Sequence, residues 1–142
     1  MGMLLGQQIK NNAVALISLV VALAGLSYNT WRNEVTEANR NIRFAGFEML
    51  LKLGELQQVI FYSHYDKDLK QGNPRRGWTY ILVMDDLSQL MPEPVPQQAQ
   101  ALHQTWQDNW EGLGQDQAKV EKINQSIDRV RLAVQQVLHD LE

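Results

Sequence analysis

The sequence predicts an all-α protein: one N-terminal transmembrane helix continuing into an antiparallel three- to four-helix bundle. Three observations carry this. A single uncharged apolar run lies near the N-terminus, between Ala13 and Trp31. Beyond it, apolar residues recur every three or four positions, the period of a helix face. No segment alternates with the period of two that a half-buried strand requires.

Ala13 to Leu26 is fourteen residues without a charge, with Ser18 as its one polar side chain. A hydrocarbon core of about 30 Å takes roughly 20 helical residues, so the run needs its flank to Trp31 to span. Tyr28 and Trp31 suit that flank, because amphipathic rings settle at the headgroup level. Lys10 and Arg32 bound the zone, and residues 1–12 form a short polar tail. The same run also fits a cleaved secretory signal, with Ala22-Leu23-Ala24 as the processing site. The region before it is long and weakly basic for a signal, so a retained anchor at 13–31 is preferred. Arg32, Arg40 and Arg43 lean the orientation towards a cytoplasmic bundle under the positive-inside rule. The habit of short N-terminal anchors opposes that lean, and an inner-membrane protein with an exported, periplasmic bundle is expected.

Ala15, Ser18, Ala22 and Gly25 are spaced three, four and three, so they share one face of this helix. Small side chains let helix backbones approach closely in lipid. The stripe is read as a docking face for a multi-pass membrane subunit, against the simpler view that Ala and Gly are common in such helices.

Residues 32–142 form the second part. All sixteen acids and twelve of the thirteen basic residues follow Trp31, so this part carries a net charge of −4 and no nucleic-acid footprint. The chain has no cysteine, which excludes disulfides, iron–sulfur clusters and thiol nucleophiles. Sixteen glutamines, mostly beyond residue 56, give a polar but weakly charged surface.

The first helix of this part is predicted at 33–64, with its stripe at Val35, Ala38, Ile42, Ala45, Met49, Leu53, Leu56 and Ile60. No Pro or Gly separates it from the anchor, so the two are expected to be one helix, its soluble part about 45 Å long. Gly46 and Gly54 are read as points of close approach to a neighbouring helix. A polar loop follows from Tyr65 to Gly77, broken at Gly72-Asn73-Pro74. The next helix is predicted at 78–90, with Trp78, Ile81, Leu82, Leu87 and Leu90 apolar. Met91 to Pro96 holds three prolines and interrupts the chain. A third helix is predicted at 96–111 on Ala99, Leu102, Trp106 and Trp110, ended by Gly112-Leu113-Gly114. The last, 116–141, carries Val120, Ile123, Ile127, Val130, Val134, Val137 and Leu141 at strict spacings of three and four, the coiled-coil pattern.

Chemistry has few candidates. His64 and Asp68 stand at i and i+4 and form a weak metal-ligand pair, more simply read as a solvated helix end beside Lys67 and Lys70. Paired Glu-x-x-His motifs, a Gly-rich phosphate loop, HExxH and GxSxG are all missing. His103 and His139 are read as surface residues, and the tryptophans as core. Lys67, Lys70, Arg75 and Arg76 make the loop after the long helix a contact point at its distal tip. No catalytic residue, cofactor or metal is expected. The preferred function is a non-catalytic, single-pass accessory or scaffold subunit of a larger bacterial-type membrane complex. In outline the chain resembles the helical-bundle input domains of bacterial chemoreceptors, which also begin with a membrane helix. That resemblance rests on architecture without a shared motif, and implies a ligand-sensing bundle. It departs in lacking their second membrane helix. A metal protein built on His64 and Asp68 ranks last.

Overall fold

A computed structural model describes residues 2–141, and every regular element among them is a helix: α1 Gly2–His64, α2 Pro74–Ser88, α3 Val95–Asn109, a 3-10 turn Trp110–Gly112, and α4 Gln117–Asp140. No strand occurs among the described residues. The chain divides into two compact units, Met1–Asn39 and Arg40–Glu142.

The first unit is the N-terminal part of α1, which is helical from Gly2, including most of the polar residues before Ala13. None of its described side chains is buried, and Val14, Leu16, Ile17, Leu19, Val20, Val21, Leu23 and Leu26 are each more than half exposed.

The second unit has one apolar core. α1 supplies Ala45, Met49, Leu53, Leu56 and Ile60; α2 supplies Ile81 and Met84; α3 supplies Val95, Ala99, Leu102 and Trp106. From α4 come Val120, Ile123, Ile127, Val130, Val134 and Val137, so its predicted stripe is buried as far as Val137, while Leu141 lies past the helix end and is partly exposed. On α1 the predicted stripe is buried only from Ala45 onward. Ile42 is partly covered, while Val35 and Ala38, in the first unit, are exposed.

Capping explains where the helices begin. α2 starts at Pro74, four residues ahead of expectation. Asn73 is its N-cap, and its side chain accepts from the Arg75 backbone N–H at 3.0 Å. Proline tolerates the first helical position because its missing N–H would have no partner there. The sequence that breaks one helix therefore starts the next. Asp116 caps α4 in the same way, accepting from Ala118 at 3.0 Å and Lys119 at 3.3 Å. Leu82 and Leu90, read as apolar-face residues, are more than half exposed; Met84 and Ser88 take the inward positions.

Two glycines are fixed by close approach. A Cβ on Gly72 would lie 2.3 Å from the Ser63 backbone nitrogen. A Cβ on Gly77 would lie 2.3 Å from the Trp106 ring, so α2 meets α3 over a bare backbone. Gly46 lies under Leu138, as a point of close approach should, whereas a Cβ on Gly54 would meet nothing within 4 Å.

Candidate functional site

The first unit holds the one described helix long and apolar enough to cross a membrane, and none of its apolar window is buried. Ala15, Ser18, Ala22 and Gly25 lie on this helix and are exposed. A Cβ on Gly25 would meet no atom within 4 Å. Tyr28 and Trp31 form a tilted pair with ring centroids 6.1 Å apart. Thr30 and Thr36 donate their hydroxyls to the carbonyls of Leu26 and Arg32, at 2.9 Å each, so these polar groups are satisfied within the helix.

His64 and Asp68 do not converge. His64 Nδ1 lies 3.1 Å from the Leu113 carbonyl oxygen, and Nε2 lies 2.5 Å from the Gln117 side-chain oxygen. Both ring nitrogens thus face oxygen atoms of the segment leading into α4 rather than the Asp68 carboxylate. The Asp68 carboxylate turns back on its own loop, accepting from the backbone N–H groups of Lys70 at 2.9 Å and Gln71 at 3.0 Å. The Gln71 bond, then the Lys70 bond, hold this carboxyl below its ordinary value of 3.8, and the Lys70 charge adds to them. A lowered pKa in the fold means that the ionised form steadies the loop above pH 3.8, and that this is lost as pH falls through the folded value. The amide NMR signals of Lys70 and Gln71 are therefore expected to titrate together below pH 3.8, and Asp68→Ala to abolish the titration; a shared midpoint above 3.8 contradicts the assignment.

The four basic residues after the long helix separate by role. Lys67 has a left-handed backbone, φ 53°, and its ammonium donates to the Gly114 carbonyl. Lys70 is exposed in the loop, while Arg75 and Arg76 ride on the first turn of α2. Arg76 borders a small recess with Glu55, Tyr62 and Tyr80.

Sequence reading missed one constellation. Between α2 and α3 lies an open cleft of about 920 Å³, lined among others by Asp85, Ser88, Glu93, Gln97 and His103. The Asp85 carboxylate accepts from His103 Nδ1, which orients the imidazole. Trp78 meets the His103 ring edge-to-face at 5.6 Å, and meets Trp106 at 6.5 Å and Trp110 at 6.3 Å. Trp106 is wholly buried with its Nε1–H unpartnered. His103, expected at the surface, is thus half-buried and paired. Asp85 stands eighteen residues before it, across the proline break, so nothing local signals the pairing.

Among the described residues no group of three or more His, Cys, Asp or Glu side chains is placed to hold a metal ion. Comparison with family models, with curated proteins and with solved structures finds no match to this chain.

Proposed function

We propose that this chain is a non-catalytic accessory or scaffold subunit of a larger membrane complex, anchored by residues 13–31 and presenting its second unit as an antiparallel helical bundle. The observation that carries it is the apolar window of α1 with none of its surface buried. In water that surface is a large unsatisfied apolar area; in lipid it costs nothing. The face of Ala15, Ser18, Ala22 and Gly25 supports a partner in the bilayer, because close packing of small residues drives helix association there. Inner-membrane location with the bundle on the periplasmic side completes the proposal.

Its test is purification from native membranes in mild detergent. The chain should bring multi-pass subunits with it, and Ala22→Leu with Gly25→Leu should release them while leaving the chain in the membrane fraction. Co-purification unchanged by the pair of substitutions removes the docking face from the proposal.

The α2–α3 cleft favours a second reading, a membrane-anchored ligand-sensing bundle. Its lining is polar, with Asp85, Glu93, Gln97 and His103 available to orient a small polar ligand. A panel of small metabolites raising the thermal midpoint, with the rise lost in His103→Ala, supports it; a flat panel counts against it.

A further inference from the structure

In the second unit, α1 carries a second row of large apolar side chains turned away from the core. Phe44 is 60 % exposed, Phe47 58 %, Leu51 60 %, Phe61 51 % and Tyr65 58 %. With Gly54 and Gln58 they alternate by three and four from position 44 to 65, the a and d positions of a heptad. The row lies about half a helical turn from Ala45, Met49 and Leu53, on the opposite side of α1. Side chains of this class present roughly 150–250 Å² each, so the row leaves about 500 Å² of apolar surface uncovered. That is the size of the largest patches on monomers, which are often functional.

We infer that the occupant of this face is α1 of a second copy, paired in parallel. The parallel sense rests on the membrane-anchored reading, since two copies held in one bilayer enter the pair from the same end. Three observations favour a like partner. Two such faces together cover about 1,000 Å², the lower bound for a specific protein interface. The row itself, Phe44 to Tyr65, holds no charged side chain, which suits an equally apolar partner face. Arg43 and Glu48 flank the row five positions apart with opposite charge. In a parallel pair those are the g and e positions that meet across the seam, so Arg43, whose guanidinium also donates to the Leu141 carbonyl of its own chain at 3.1 Å, comes opposite Glu48 of the second copy on both sides. Gln58, at an a position, gives the seam one polar layer that fixes register. Gly54 has open space around it, so the two backbones approach most closely at that level.

The absence of cysteine makes the test direct, because any disulfide reports only an introduced residue. Full-length Phe44→Cys and Leu51→Cys chains are oxidised in native membranes beside Arg129→Cys, an exposed α4 control. The expected result is a shift of both seam variants to a band of twice the chain mass, with the control staying monomeric. Linking no stronger than the control overturns the pairing. So does a heavier adduct with another protein, which places a different subunit on the face. Linking of Gly54→Cys without Phe44→Cys overturns the parallel sense, because only the middle of an antiparallel pair meets itself. The membrane pellet of the same samples is scored separately. A chain that pellets without linking loses the pairing and keeps the anchor; one that links without pelleting loses the anchor and keeps the pairing.

Discussion

Gly77→Ala lowers the stability of the second unit by about 1–3 kcal/mol, the usual cost of overpacking a well-filled core. The added methyl would sit 2.3 Å from the Trp106 ring, and Trp106 is fully buried and cannot swing into solvent. Trp106→Leu is costly for the opposite reason. It empties part of a large buried site, and truncations of this kind cost about 2–5 kcal/mol. Part of that loss is returned, because the indole N–H has no partner in the fold and its removal relieves a buried unsatisfied donor. The two changes should be strongly coupled. In a Trp106→Leu background the space above Gly77 is open, so Gly77→Ala should cost little. Urea unfolding of the four proteins measures this as a double-mutant cycle, with a coupling of about 1–3 kcal/mol expected. Strict additivity would remove the contact between α2 and α3 from its place as a steric lock.

Val21→Arg moves the chain out of the membrane fraction. Val21 lies near the middle of the apolar run and is 64 % exposed, so the guanidinium has no protein to hide in. An arginine at the centre of a spanning helix costs about 2.5–3.5 kcal/mol on insertion scales. At 1.4 kcal/mol per tenfold this is roughly a hundredfold in partition. A run of marginal length has little surplus to absorb it. The check is resistance to alkaline carbonate extraction, with Glu37→Arg, outside the run, as the matched control. If Val21→Arg pellets as completely as the unaltered chain, the run is not what holds the protein at the bilayer.

What the sequence made legible was periodic burial. Val120 to Val137 reads as one stripe and is one, because every apolar residue on that face of α4 has α1 or α3 to meet. α1 was harder for a physical reason. It carries two three-and-four rows at once, Ala45 to Ile60 and Phe44 to Tyr65, and periodicity cannot say which of two faces finds its cover within the chain. Val35 and Ala38 continue the first row in the sequence but belong to the first unit and are exposed. The tip was misjudged through capping chemistry: Asn73-Pro74 ends a loop by starting a helix, which carries Arg75 and Arg76 off the loop and onto α2. The Asp85–His103 pair left no trace, since a contact between two short helices has no pattern along the chain.

The hold that His64 and Lys67 take on the carbonyls of Leu113 and Gly114 joins points nearly fifty residues apart. Closing so long a segment is entropically costly until α2 and α3 have already docked. The clasp is therefore expected to close late, so that His64→Ala with Lys67→Ala speeds unfolding in urea while leaving the refolding rate near that of the unaltered chain. Contacts of that kind set how slowly a protein comes apart rather than how quickly it assembles. On that expectation the turn at the end of the long helix serves as a kinetic latch.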